Sequence, residues 1–405
     1  MGRLIWLAAL LVAGVGCRQR AEAVQDEVRL RELVRQRMPA IERIVGLKFK
    51  RTPAVAQRTR EQVRDYIVHK LDSDLPPAEF AGAESAYKLF GLIPDSLDLR
   101  ARLVALLNEQ VAGYYDPDSA TLFIPAGLVD SFTLRTTVTH ELVHALQHQY
   151  ANLDSLIQQK RANDRRNAAQ AVLEGQATLV QTIVMMPELS VESVPSFWDK
   201  RGVVRTQQAT MKEFAGAPMW LRESLVFPYL AGADFVKWFD GTHPGREPYG
   251  AAMPVSTEQI LHPARYAAGD APVELAFAGP DAGAVRYQDD LGEFESGLLL
   301  SQLLADTVDL NASADAAGWG GDRYEVLAVP AGGDALVWYS VWDNTAAADR
   351  WARDLERGWA SRARTGRRSS ITRLDVGGHA GVRLVDAPAA WPGWKALPLV
   401  RVVTP

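Results

Sequence analysis

His140-Glu141-Leu142-Val143-His144 is the stretch that decides how this chain reads. It lies in a segment whose periodicity predicts a helix, capped at Asp130 or Ser131 and running to about Tyr150. At 3.6 residues per turn, His140 and His144 stand about 40° apart around the axis and one turn apart along it. Both imidazoles can then reach one ion lying about 2.0–2.1 Å from each nitrogen. Glu141, about 100° round from His140, stands beside that ion, where a base is needed to take a proton from metal-bound water. Two histidines leave a catalytic zinc one protein ligand short. The metzincin extension needs Gly and His at positions 147 and 150, and the chain has Gln147 and Tyr150 there. His148 lies about 12 Å along the axis from His140, too far to join the same tetrahedron, and reads as a helix-face residue or a support for the ligands.

A third donor is available in Val172-Leu173-Glu174-Gly175-Gln176-Ala177. This stretch belongs to a second apolar-periodic helix, about 168–185, in which Gly175 and Ala177 permit close helix approach. The alternative for a lone Glu on such a face is an ordinary surface charge. Around these two helices the pattern predicts a helix over 97–111 ending near Gly113, a turn at 113–118, and a strand at 120–125. That strand is a candidate sheet edge for pairing with an extended substrate.

Taken together, the motif 140–144 and the Glu174-Gly-x-Ala helix resemble the gluzincins, the thermolysin-type zinc metallopeptidases. More closely, they are similar to a little-characterised group of secreted bacterial and archaeal proteins with this core. The resemblance covers about 40–320 and extends to Glu109-Gln110-Val111-Ala112-Gly113-Tyr114-Tyr115-Asp116-Pro117 and Ser256-Thr257-Glu258-Gln259-Ile260-Leu261-His262-Pro263. It implies that His140, His144 and Glu174 bind Zn2+ and that Glu141 is the base. In thermolysin-type enzymes an Asp four residues after the Glu ligand orients a ligand histidine, and here Thr178 holds that place. Such sites also carry a distant His or Tyr that meets the charge developing on the substrate carbonyl. His262, held extended by Pro263, is the first candidate for this role and Tyr229 the second.

Composition supports a folded, globular protein. The 405 residues are 47% hydrophobic and 23% charged with a formal net charge of −5, ordinary for a globular chain of two or three domains. A pI of about 5.9 offers no basic footprint for nucleic acid. The single cysteine excludes an internal disulfide and a cysteine zinc cluster. It is Cys17, and it follows Met1-Gly2-Arg3, an apolar run over 4–15 and Gly16. That order describes a secretory signal, and a Cys placed there resembles the bacterial lipoprotein signal, cut before the Cys that is then lipidated. The apolar run falls short of the roughly 20 residues needed to span a bilayer.

Seven of the 11 tryptophans lie at or beyond Trp319 (Trp319, Trp338, Trp342, Trp351, Trp359, Trp391 and Trp394). They read as core of a small α+β unit, with a stacking surface as the alternative. The expected organisation is a signal peptide over 1–16, a mainly helical zincin-like metallopeptidase domain with a small sheet over 17–280, and a C-terminal α+β domain over 281–405, an α+β protein overall. The expected function is that of an envelope-anchored zinc peptidase facing outside the cytoplasm. Its substrate would be a peptide or protein, and Glu141 would activate the zinc-bound water. The alternative is a non-catalytic envelope lipoprotein with a structural metal and a Trp-rich partner-binding tail.

Overall fold

The computed structural model describes residues 8–9, 21–74, 76–127, 132–152, 161–278, 284–304, 316–330 and 333–403. Cys17, the lipidation candidate, lies outside the described residues, as does most of the signal-like stretch.

The chain folds as α+β. Its first half builds a mixed four-stranded sheet from β1 (Ala8–Ala9), β2 (Ala54–Arg58), β3 (Val111–Asp116) and β4 (Thr121–Pro125), in the order β1-β3-β4-β2. Helices α1 (Ala21–Val45) and α5 (Phe132–Tyr150) pack on this sheet, while α2 (Arg60–Asp74), α3 (Pro77–Phe90) and α4 (Leu99–Gln110) intervene in the chain. Leu134, Val138, Leu142, Val143 and Leu146 of α5 join Leu30, Val34 and Ile41 of α1 and Tyr115, Leu122 and Ile124 of the sheet in one core. The opposite face of α5 meets α6 (Asn163–Met185), so α5 is covered on both sides and Thr136 through Gln147 are all buried.

Residues 111–116 form a strand rather than the turn expected at 113–118, and the reversal comes at 117–120. Asp116 makes that reversal, its Oδ2 accepting from the amide and hydroxyl of Ser119, while Ala120 takes a φ of +50°. Gly113 is needed for packing here, since a Cβ would lie 2.6 Å from Cγ2 of Thr137 on α5. Strand β4 is flanked by β3 and β2 and is not the expected edge. The outer strands are β1 and β2, and the flank of β3 away from β4 is taken by Ala8–Ala9, which pairs antiparallel opposite Gly113 and Val111.

Helix α7 (Met219–Thr242) crosses α6 with backbones in contact. A Cβ on Gly175 would sit 2.1 Å from the carbonyl carbon of Gly232, and one on Gly232 would sit 1.9 Å from the carbonyl oxygen of Ala171. The chain then builds a five-stranded antiparallel sheet from β6 (Ala284–Asp289), β7 (Trp319–Val329), β8 (Gly333–Trp342), β9 (Arg367–Val376) and β10 (His379–Pro388), in the order β6-β7-β8-β10-β9. Helices α8 (Gly292–Leu304) and α9 (Thr345–Trp359) pack together beside it.

The boundary expected near 280 divides the two main sheets but not the core. Phe90 packs edge-on against Tyr324 and Trp338, and Phe227 stacks on Phe294 at 3.9 Å. Leu275–Ala278 (β5) also pairs with Leu399–Val402 (β11) near the end of the chain. Trp319, Trp338, Trp342, Trp351, Trp359 and Trp391 are buried and Trp394 is half-buried, so these rings serve as core rather than as a stacking surface. Among the described residues no helix is long and apolar enough to cross a membrane.

Candidate metal centre

The contact between α5 and α6 brings His140, His144 and Glu174 together, each at most 2% exposed. His140 Nε2 lies 3.0 Å from Glu174 Oε2 and 3.1 Å from His144 Nε2, and His144 Nε2 lies 3.4 Å from the same carboxylate oxygen. Ligands held at about 2.0–2.1 Å in a tetrahedron stand about 3.3–3.4 Å from one another, so three donors at this spacing could hold one metal ion. The second nitrogen of each ring faces an amide oxygen: His140 Nδ1 is 3.1 Å from Gln181 Oε1, and His144 Nδ1 is 2.9 Å from Gln147 Oε1. With the Nδ1 atoms donating, three lone pairs converge on one point, an arrangement that a cation relieves.

The electrostatics of the group are internally consistent. Burial lowers the His140 pKa. Burial works the same way on His144, but the Glu174 carboxylate beside it outweighs this and raises it. For Glu174 burial raises the carboxyl, yet His144 and His140 bring it down to about 2. The carboxylate is thus held ionised between two imidazoles, as a ligand must be.

Glu141 differs. It is fully buried, and burial pushes its carboxyl up to about 8. Its Oε2 accepts the Tyr115 amide of β3 at 2.8 Å, and its Oε1 has no hydrogen-bond partner among the described residues. A buried carboxylate oxygen without a donor is costly unless it faces a group that brings a proton. His148 supports this corner from the next turn of α5, its Nδ1 lying 2.8 Å from the Tyr115 hydroxyl.

His262 is not brought to this group. It ends the short helix Thr257–Leu261, and its Nε2 meets Glu293 Oε1 of α8 at 2.9 Å. That hydrogen bond raises the His262 pKa. The 256–263 stretch is a clamp between helices. Ser256 caps the short helix through the Gln259 amide, the Thr257 amide donates to Asp164 at the start of α6, and the Thr257 hydroxyl accepts from the Phe294 amide. The N-terminus of α6 is tied to the same region, with the Asn163 and Asp164 amides donating to Asp289 and Asp290.

Tyr229, the second candidate, is at the centre. It follows Pro228 on α7, its ring stacks 5.9 Å from that of His140, and its hydroxyl hydrogen-bonds Glu174. Burial, and then the charges of Glu174 and Glu141, raise its pKa well above the ordinary phenol value. Thr178 does not take over the orienting role of the missing Asp. Its hydroxyl has no partner among the described residues, and Gln181, one turn further along α6, orients His140 instead.

Residues 282–387, most of the five-stranded sheet with α8 and α9, match a domain of unknown function, DUF8575. No curated protein matches the chain. Among solved structures it is similar to one from Chloroflexus aurantiacus described as a candidate hydrolase with a novel fold. That similarity has 17% identity and a TM-score of 0.36, over 63% of this chain and 92% of that chain.

Proposed function

We propose that this protein is a zinc-dependent hydrolase of peptide bonds, a gluzincin-like peptidase held at a membrane surface outside the cytoplasm. The observation that carries the reading is the donor set of His140, His144 and Glu174 beside the unpartnered Oε1 of Glu141. Among the described residues no fourth His, Cys, Asp or Glu joins the three. A structural zinc is closed by four protein ligands, whereas a catalytic one keeps a position open, and this favours catalysis over the structural-metal alternative. Zinc held there supplies Lewis-acid polarisation of a carbonyl and of water.

The chain's own residues do the rest. Glu141 Oε1 takes the proton of the attacking water, while the Tyr115 amide holds Oε2 and so fixes the carboxylate. Tyr229 directs its hydroxyl at the negative charge that grows on the scissile carbonyl oxygen. With the signal segment cut away, the flank of β3 that Ala8–Ala9 occupies receives the substrate as an added strand, a use supported by that antiparallel pairing.

Tyr229→Phe is expected to lower kcat by about 10²–10³-fold with zinc content unchanged, and His262→Ala to leave kcat near wild type. Steady-state kinetics on a quenched-fluorescence peptide read both. A full loss in His262→Ala with none in Tyr229→Phe would reverse the assignment.

Anchoring is proposed through Cys17, the only thiol in the chain. Cells fed labelled palmitate should label the wild type and not Cys17→Ser, and label on both forms would end the lipid-anchor reading.

A further inference from the structure

The metal ligand His144 has only one chemically sensible tautomer in this fold, and the residues that impose it run away from the centre towards the surface. Gln147, three residues on along α5, places Oε1 2.9 Å from His144 Nδ1. Its Nε2 donates to the main-chain carbonyl of Leu173 at 3.0 Å and to Gln176 Oε1 at 2.9 Å. A carbonyl oxygen cannot donate, so turning the Gln147 amide over would set oxygen against oxygen at Leu173. Gln176 is oriented independently, because its Nε2 donates to Glu247 Oε2 at 3.1 Å, where an amide oxygen would only set acceptor against acceptor. Both ends of the chain of amides therefore demand the same direction. With Gln147 Oε1 facing it, His144 Nδ1 must carry the proton, which leaves the lone pair on Nε2, the atom that faces His140 and Glu174.

We propose that Gln147, Gln176 and Glu247 form a positioning relay that locks His144 in its Nδ1–H tautomer and so readies Nε2 for the metal. Gln147 is buried and aligns the ring directly. Glu247 is half-buried and acts through Gln176, so it is a positioning residue well removed from the reacting atoms. Neutral amides do here what a carboxylate does in many metal sites. They fix the ring without adding negative charge next to Glu174 and Glu141, which already share a buried space.

This inference rests on the zinc reading, and the experiment separates the two. Nitrogen-15 NMR of the imidazoles in the full-length, metal-free protein at alkaline pH reports the tautomer, and competition with a chromogenic chelator reports zinc affinity. Wild type should show His144 as Nδ1–H. Gln147→Leu should show mixed tautomers and bind zinc about 10–100-fold more weakly. Glu247→Ala should weaken zinc several-fold, whereas Glu247→Gln, whose Oε1 still accepts from Gln176, should stay within twofold of wild type. An Nε2–H His144 in the wild type, or wild-type affinity in both Gln147→Leu and Glu247→Ala, overturns the relay. Should Gln147→Leu fail to fold, the wild-type spectrum and the two Glu247 variants decide. A wild type that binds no zinc yet shows Nδ1–H at His144 overturns the metal reading and leaves the relay standing.

Discussion

Glu141→Gln should retain zinc at the wild-type stoichiometry and lose peptide hydrolysis by about 10²–10⁴-fold, the range that a positioned general base contributes. The substitution keeps size and shape, and the new amide oxygen can still accept from the Tyr115 amide as Oε2 does. What it removes is the proton acceptor at Oε1, a carboxylate oxygen of the centre that no described residue satisfies. Because the carboxyl is fully buried, replacing it with a neutral isostere should not lower Tm. Zinc content, Tm and kcat measured on one preparation make the test. Loss of activity together with zinc or stability would mean that Glu141 holds the site together. Full activity would remove it from the chemistry.

The second large effect concerns a residue with no side chain. Gly175→Ala would put a methyl 2.1 Å from the Gly232 carbonyl carbon and 2.6 Å from the Ala233 nitrogen, atoms of a helix backbone that cannot rotate away. Helices α6 and α7 must then separate, and the residue carried along first is its neighbour Glu174. Overpacking of a core typically costs about 1–3 kcal/mol, and a backbone clash falls at the upper end or beyond. At roughly 2 °C per kcal/mol for a large chain, Tm should fall by about 5 °C or more, and zinc affinity should fall with it. Gly241→Ala provides the control. It lies on the same helix α7 with nothing among the described residues within 4 Å of the added methyl, and should leave Tm unchanged or slightly raised. Equal thermograms for the two variants would contradict the close crossing.

That crossing also shows where sequence reading works and where it stops. The i, i+4 histidines are local, and helix geometry alone makes the two rings converge, as Gly175 and Ala177 alone permit a tight helix contact. Glu174 as the third donor comes from the resemblance, and it is the packing of α5 on α6 that brings it to the histidines. Tyr229 could not be ranked above His262 in the same way. Its place beside Glu174 depends on Gly232, more than 50 residues from Gly175 in the chain, allowing α7 to press onto Ala171. Pro263 suggested a loop that projects a side chain, but it begins a short helix, Pro263–Ala268, and His262 turns to Glu293. The Gly113-to-Asp118 stretch carries every mark of a turn, yet the long-range need to seat a strand against Thr137 explains the glycine better. The orienting glutamines left no trace at all, since glutamine is common on helices and only three-dimensional neighbours give its amide a direction. The tryptophans of the tail, by contrast, were legible because a small α+β unit has to bury its large aromatic residues to make a core.

The central claim is that His140, His144 and Glu174 together hold one zinc, and the most direct measurement is elemental analysis of the purified protein beside Glu174→Ala. The account predicts one zinc per wild-type chain and a substoichiometric, chelator-labile metal in the variant. A wild type that carries no zinc after zinc loading, or a Glu174→Ala protein that holds it as tightly as wild type, would contradict it.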